Sequence, residues 1–326
     1  MNKHFGLGRG RANGHVIRRR AMNALAVAAR LLLVFGLCFL ILQPLLSKIS
    51  ISFMSEKELY DTTVINIPRQ PILSNYKLVA ELMSYSKSFF NSIWVSTVVA
   101  VLQTMAATLV GYGFARFKFP FQKLLFGLVL LTIVIPPQTI LTSLYLYFRY
   151  FDLFGLMTLI WGGPINLLNT VSPYLLMVTG CMGLKSGLYI YLLRQFFRGM
   201  PKELEEAAYV DGSNALRTFA SIMLPDALPM ITSCFLFAFV WQWTDSFYAT
   251  LFFRNVPLMA VSLGALTERF RNYWVVSLGM VGLPPLSLLQ VVLSTGTLMT
   301  VGPLLLIYMF AQRGFVESVS TSGIKG

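Results

Sequence analysis

Long apolar runs separated by short polar stretches dominate this chain of 326 residues. A membrane-spanning helix needs about 20 predominantly apolar residues, and six segments reach that length. They lie at roughly 23–47, 90–114, 122–147, 172–197, 226–251 and 286–311. The first run is too long for the apolar part of a signal peptide, and no small-residue cleavage site follows it, so we expect it to be retained. The pattern predicts an all-α polytopic membrane protein: a basic tail over 1–22, then one six-span domain over 23–326.

Composition and charge support a membrane protein and indicate its orientation. Hydrophobic residues make up 56% of the chain and charged residues 12%, against about 25% charged in soluble domains. Although the net charge is +13, the basic residues lie between apolar runs and in the tail, not on an aromatic-interleaved face, so no nucleic-acid binding is expected. Loops on the side of the two termini carry 15 Lys and Arg, against nine on the other side. This excess predicts that both termini are cytoplasmic.

The segments predicted to be external are 48–88 and 252–285. We expect residues 258–270 of the second to form a short amphipathic helix. A turn at Gly282, Pro284 and Pro285 should lead into the last span.

Residues that carry out catalysis or bind metals are scarce. The only histidines, His4 and His15, lie in the basic tail, so a histidine-based catalytic or zinc site is not expected. The cysteines Cys38, Cys181 and Cys234 all lie in apolar segments without metal or redox spacing. No G-x-x-x-x-G-K-[ST] stretch is present, so a phosphate-cradling loop for ATP is absent from the sequence. We therefore predict no catalytic residue, no metal site and no cofactor in this chain.

The longest loop predicted to be cytoplasmic, residues 198–225, has the pattern of two short helices. Pro201 suits a first helical turn, and the residues from Lys202 to Val210 favour a helix that carries its acidic residues near the N-terminus. Gly212 should end this helix, since glycine tolerates the left-handed conformation. A second short helix over 213–224 should end at Leu224 and Pro225. The result would be a two-helix elbow, defined here as residues 201–225.

The spacing within this elbow resembles a known motif. Glu206-Ala207-Ala208, then Gly212, Ile222 and Leu224-Pro225, match the EAA loop of ABC importer permeases. The flanking residues 201–206 and the C-terminal stretch 312–326 resemble carbohydrate-uptake permeases of the maltose type, in particular their second permease subunit. The resemblance implies the ABC importer (type I) permease fold. It implies ATPase coupling through Glu206, Ala207, Ala208, Asp211, Gly212, Ile222, Leu224 and Pro225.

The same resemblance implies the partners and the setting of the chain. These are a second permease subunit, two ATPase subunits that bind ATP and Mg, an extracytoplasmic solute-binding protein, a carbohydrate substrate and membrane lipid. The location implied is the cytoplasmic membrane of a bacterium or archaeon. Glu206 would pair with a basic residue of an ATPase, and the C-terminal tail would reach toward the interface between the two ATPases.

Four residues are candidates for the substrate pathway. Lys185 falls within the fourth predicted span, where an ionisable group suggests function; the alternatives are that a neighbouring carbonyl or water satisfies it, or that the helix starts later. Trp241, Trp243 and Asp245 lie near the end of the fifth span. They would contact sugar, unless the tryptophans are membrane-interface anchors.

Three other functions remain open from the sequence. The first is an importer of the same architecture for amino acids, peptides or anions, which the elbow alone does not exclude. The second is an ATP-independent secondary carrier, which would need more ionisable intramembrane residues than Lys185 and Asp245. The third is a membrane-bound enzyme, for which a catalytic constellation is missing.

Overall fold

The computed structural model describes residues 9–61, 67–253 and 255–323, with side chains described over 22–61, 67–253 and 255–310. In these ranges the regular elements are helical, and the extended pairing is a single bridge between Phe151 and Ile165. This agrees with the predicted all-α class. The chain divides into two compact units, Met1–Ile72 and Leu73–Gly326.

The first unit is built on one long helix. Helix α1 spans Arg9–Ser52 and is followed by the short α2, Glu56–Leu59. Residues 9–22 of the predicted basic tail therefore continue into the same helix as the first span, while residues 1–8 lie outside the described chain. After α2, the Glu58 carboxylate accepts hydrogen bonds from the backbone N–H groups of Arg69 and Gln70, both at 2.8 Å.

The second unit contains the remaining helices. They are α3 (Ser74–Leu82), α4 (Tyr85–Arg116), α5 (Gln122–Val134), α6 (Leu141–Arg149), α7 (Leu156–Trp161), α8 (Ser172–Thr179), α9 (Ser186–Gly199), α10 (Glu203–Val210), α11 (Ala215–Thr218), α12 (Leu224–Asp226), α13 (Leu228–Thr244), α14 (Phe247–Phe252), α15 (Met259–Gly264), α16 (Leu266–Asn272) and α17 (Leu286–Gly323). A 3₁₀ turn covers Pro137–Ile140, and π-helical turns cover Phe219–Met223 and Tyr273–Ser277.

Helix α4 is central to the second unit, because it packs against both α9 and α13. Small residues permit this close approach, as is common between helices in membranes. A Cβ added at Gly111 would lie 3.0 Å from the Cβ of Leu193 on α9. The buried cluster around this contact includes Ala100, Ala107 and Ala238.

The predicted six spans are matched in part. Three helices have the length and apolar character to cross a membrane: Met22–Ser52, Tyr85–Arg116 and Leu286–Phe310. Two bent pairs would also qualify if each counts as one span: Gln122–Val134 with Pro137–Arg149, bent by 99°, and Ala215–Asp226 with Leu228–Thr244, bent by 74°. The described residues thus hold between three and five candidate spans. Pro136 and Pro137 explain the first bend, since proline lacks the amide that continues a helix.

The helix predicted across 172–197 is interrupted in the structure. Helix α8 ends at Thr179 and α9 begins at Ser186; residues 180–185 between them are called the α8–α9 break. Cys181 and Lys185 both adopt left-handed backbone conformations there, with φ of +57° and +63°. The prediction of one continuous helix over 172–197 was therefore wrong: the apolar pattern runs through the break, although Gly180 and Gly183 within it are a local signal for an interruption.

The second predicted external segment has the expected elements. Two short helices, α15 and α16, cover the stretch where an amphipathic helix was predicted, and they bury Met259, Leu266 and Phe270. Gly282 has a φ of +92°, and α17 starts at Leu286. The predicted turn into the last helix is confirmed.

Candidate functional site: a two-helix elbow and a broken helix

The first helix of the elbow forms as the sequence predicts. Helix α10 covers Glu203–Val210, with Glu203, Glu205 and Glu206 in its first turn, where carboxylates favour the helix dipole. Gly212 follows with a φ of +81°, which only glycine adopts without strain. The chain then enters α11, whose N-terminus is capped by the Asn214 side chain accepting from the Arg217 N–H at 2.8 Å.

The second helix of the elbow ends at Asp226, one residue beyond the predicted end at Leu224 and Pro225. Helix α11 continues through the π-turn Phe219–Met223 into α12, and the chain bends by 74° only before α13. The N–H of Leu224 bonds the carbonyl of Phe219, five residues back. Pro225 sits in the first turn of α12, where its missing amide needs no helical partner.

A buried ion pair anchors the elbow to α4. Glu205 accepts a hydrogen bond from the Tyr112 hydroxyl at 2.9 Å, and its other carboxylate oxygen lies 3.5 Å from Nε of Arg116. The Arg116 side chain is 7% exposed and that of Glu205 is 11% exposed. Arg116 also donates to the carbonyl of Met200 at 2.9 Å, just before α10. Charge-assisted bonds of this kind hold the elbow at a defined position relative to α4.

Aromatic packing supports the same junction. The Tyr112 ring centroid lies 4.7 Å from that of Phe219, in the elbow, and 5.3 Å from that of Phe197, on α9. Three separate stretches of chain therefore meet at Tyr112.

The predicted coupling residues divide by exposure. Glu206, Ala207, Asp211, Gly212 and Pro225 are exposed, whereas Ile222 and Leu224 are half-buried. Ala208 is 5% exposed and faces the chain's own interior. The exposed surface of the elbow therefore includes one side of α10 and the Gly212 turn.

Glu205 was not singled out from the sequence, although a signal for it exists. It lies three residues before Ala208, so both occupy one face of α10. Because that face is buried, the first carboxylate of the Glu205-Glu206 pair points inward and the second outward.

The predicted pathway residues fall into two groups. Lys185 lies at the N-terminal end of α9, in the α8–α9 break, and its Nζ is 5.1 Å from the ring centroid of Trp241. This distance is within the range of a cation–π interaction. The structure therefore joins one residue of the fourth predicted span to one of the fifth, and Lys185 does not lie in the middle of a helix.

The other two residues are structural in this arrangement. Trp243 is 1% exposed and donates from Nε1 to the carbonyl of Thr300 at 3.1 Å. Asp245 is buried and accepts from the N–H groups of Phe247 and Tyr248, which caps α14; it also accepts from the Tyr174 hydroxyl. A membrane-interface position does not fit Trp243, since its ring is enclosed by protein.

The α8–α9 break is held from α4. Gln103 donates from Nε2 to the carbonyl of Leu184 at 2.6 Å and to the Ser186 hydroxyl at 2.8 Å. Irregular backbone at membrane depth requires such partners, because lipid offers none. Among the described residues, no cluster of three or more His, Cys, Asp or Glu is arranged to hold a metal ion.

Comparison with known families identifies the class of this chain. Residues 103–320 match the family described as binding-protein-dependent transport system inner membrane component. The chain belongs to this family. The match includes the elbow, the α8–α9 break and α13, so the candidate site lies within the region that matches the family.

Individual relatives cover most of the chain. The arabinooligosaccharides transport system permease protein AraQ of Halalkalibacterium halodurans is 27% identical over 89% of this chain and 93% of its own. The maltodextrin transport system permease protein MdxG of Bacillus subtilis is 24% identical over 78% of this chain and 81% of its own. A bacterial ABC transporter that imports the acidic polysaccharide alginate has a chain with a TM-score of 0.60, at 20% identity, covering 95% of this permease and 99% of that chain. This structural similarity shows the shared permease fold.

Proposed function

We propose that this permease is one of the two membrane subunits of an ATP-driven importer for sugars or oligosaccharides. The observation that carries the proposal is the exposed, anchored elbow, whose spacing matches the coupling loop of such permeases. The names of relatives, among them permeases for arabinooligosaccharides, maltodextrin and, in Mycobacterium tuberculosis, trehalose, favour a carbohydrate over an amino acid, a peptide or an anion.

The elbow is the proposed contact with an ATPase subunit. Glu206 and Ala207 lie on the exposed side of α10, where Glu206 pairs with a basic residue of the ATPase. Ala208 leaves room for the elbow's own packing, since it faces inward. Asp211 and Gly212 shape the turn, and Ile222, Leu224 and Pro225 shape the second helix of the elbow.

The remaining parts of the complex follow from the same proposal. They are a second permease subunit, two ATPase subunits that hold ATP and Mg, an extracytoplasmic solute-binding protein and the surrounding lipid, with no cofactor in this chain. The six segments cross the cytoplasmic membrane with both termini inside, so that the elbow and the ATPases share one side.

The contacts of the elbow support a mechanism in which closure of the ATPases moves the membrane helices. When the ATPases close, the elbow moves as a rigid body. Glu205 and Tyr112 transmit the movement to α4, and the chain continues directly into α9 on one side and α13 on the other. Because Lys185 on the α8–α9 break faces Trp241 on α13, we place the sugar contact of this subunit there.

A substitution at Gly212 tests the coupling role. Aspartate at this position must adopt a φ of +81°, which strains the backbone although a Cβ there would meet nothing within 4 Å. We expect Gly212→Asp to insert normally and to lose oligosaccharide uptake, while the ATPase activity of the complex persists. The measurement is uptake of labelled malto- or arabino-oligosaccharides, with an amino acid as comparison, by the complex in proteoliposomes.

Ser213→Asp is the matched control, since it adds the same charge next to Gly212 without a left-handed backbone. Normal uptake by the Gly212→Asp complex would refute the coupling role of the elbow. Uptake of the amino acid in preference to the oligosaccharides would refute the sugar assignment and leave the coupling role standing.

A further inference from the structure

A concave recess of about 610 Å³ lies beside the elbow, where α4 ends and α5 begins. We call it the basic recess. Its lining includes six basic side chains: Arg116, Lys118, Lys123, Arg194, Arg198 and Lys202. It also includes Glu205 and Glu206, so the recess borders the proposed ATPase contact.

The charges of the basic recess are not balanced by the side chains that the structure describes. Glu205 is already engaged by Arg116 and Tyr112, which leaves Glu206 as the free carboxylate in the lining. Within the described part of the chain, no hydrogen bond or ion pair engages the side chain of Lys118, Lys123, Arg198 or Lys202. Like charges gathered around one cavity repel each other, and a bound anion would relieve that repulsion.

One cation of the recess is held in place before any ligand binds. The guanidinium carbon of Arg194 lies 3.8 Å from the ring centroid of Phe126, and its Nε donates to the carbonyl of Phe114 at 3.4 Å. A guanidinium fixed against an aromatic ring keeps its remaining N–H groups available in a planar array. This array matches the oxygens of a phosphate group.

The position of the recess indicates that it lies at the membrane surface. It opens at the turn between α4 and α5, which belong to two successive candidate spans. Next to it, α5 exposes Leu124, Leu125 and Leu128 at 61%, 43% and 50%. A basic pocket at the end of spanning helices, continued by an apolar helix face, has the two chemistries of a phospholipid: phosphate in the pocket and acyl chains along the helix.

We propose that the basic recess binds the phosphate group of an anionic ligand, with an anionic phospholipid headgroup as its source. The bound phosphate lies against Lys118, Lys123, Arg194 and Arg198, at the surface from which α10 projects. An occupied recess would therefore adjoin the elbow on the side of Glu206 and Tyr209. This proposal requires that α4 and α5 meet the membrane surface, and it does not depend on coupling to an ATPase.

The test uses the full chain purified in mild detergent and offered equal amounts of phosphatidylglycerol and phosphatidylcholine. Bound lipid is identified by native mass spectrometry. We compare the wild type with the variant Lys118→Gln/Lys123→Gln/Arg198→Gln, and with the control Lys57→Gln/Lys77→Gln/Lys87→Gln, which loses the same charge elsewhere. We expect a preference for phosphatidylglycerol on the order of tenfold or more in the wild type and control, and a ratio near one in the recess variant. An unchanged preference in the recess variant would overturn the lipid assignment.

Two further measurements separate the remaining outcomes. In the wild type alone, the preference should fall as NaCl is raised, because it is electrostatic; this result does not depend on the variant folding. Thermal unfolding with inorganic phosphate, against chloride at equal ionic strength, tests a soluble source. One outcome is that phosphate stabilises the wild type and not the recess variant while neither prefers phosphatidylglycerol. That result would support a phosphate site and show that its ligand is soluble phosphate, not a lipid. If neither lipid nor phosphate binds, the recess is not a phosphate site, and its charge is left for a protein partner.

Discussion

At the scale of single residues, two adjacent carboxylates have opposite environments. Glu205 is buried against Arg116 and Tyr112, while Glu206 is exposed on the other side of the same helix. The sequence motif alone led to Glu206, because motif spacing marks residues that meet a partner. It did not lead to Glu205, because that role depends on Tyr112 and Arg116, which lie about 90 positions earlier in the chain.

Replacing Glu205 should damage both stability and coupling. In Glu205→Gln, Arg116 stays buried without a compensating charge, which typically costs on the order of 3–5 kcal/mol. We expect a lower unfolding temperature and, in protein that remains folded, less uptake for each ATP hydrolysed. Thermal unfolding of the purified chain and the ratio of uptake to hydrolysis in proteoliposomes measure the two effects.

Glu203→Gln provides the comparison for this prediction, since it removes the same charge from an exposed position on α10. Equal behaviour of the two variants would contradict an anchoring role for Glu205.

At the scale of elements, the sequence predicts helices better than their interruptions. The long apolar runs correspond to α1, α4 and α17, and the short helix α10 ends where Gly212 predicts. The α8–α9 break was missed because the apolar run continues through it and because Cys181 and Lys185 are not residues that usually adopt left-handed conformations. Gly180 and Gly183 are the local signal that marks its place. What stabilises the break is Gln103 on α4, and such a tertiary contact leaves no local pattern in the sequence.

The contact between Lys185 and Trp241 predicts how this subunit binds its substrate. Trp241 is 44% exposed, and Lys185 holds one face of its ring, so its other face is suited to stacking on a sugar ring. In Trp241→Leu we expect the KM for uptake to rise about fivefold, for a loss of roughly 1 kcal/mol of aromatic contact. The maximal ATPase rate should stay near that of the wild type.

Trp161→Leu, at an exposed tryptophan of α7, is the matched variant and should leave the KM unchanged. A Trp241→Leu complex with the KM of the wild type would exclude Trp241 from the sugar contact.

At the scale of the whole molecule, the number of crossings decides the orientation. The described chain offers up to five candidate spans when each bent pair counts as one. The sixth would be α8 and α9 together, with the break between them. An even number of crossings puts both termini on one side, whereas an odd number puts them on opposite sides.

Epitope tags at the two ends therefore test the predicted topology. In inside-out membrane vesicles, we expect added protease to remove both tags, because α8 and α9 together cross the bilayer and both termini are cytoplasmic. In right-side-out vesicles both tags should be protected. Protection of one tag and loss of the other in the same vesicles would show that this pair of helices does not cross.

The π-turn at Phe219–Met223 has a consequence for comparing sequences of this family. A π-turn holds one residue more than a regular helical turn, and each residue of a helix advances its faces by about 100°. Removing a single residue from this stretch would therefore leave a regular α-helical turn, and the helix that follows would keep nearly the same direction. Removing a second residue would rotate the faces that follow by about 100°. A one-residue alignment gap in this stretch therefore marks a relative with an α-helical turn, not a misplaced α13.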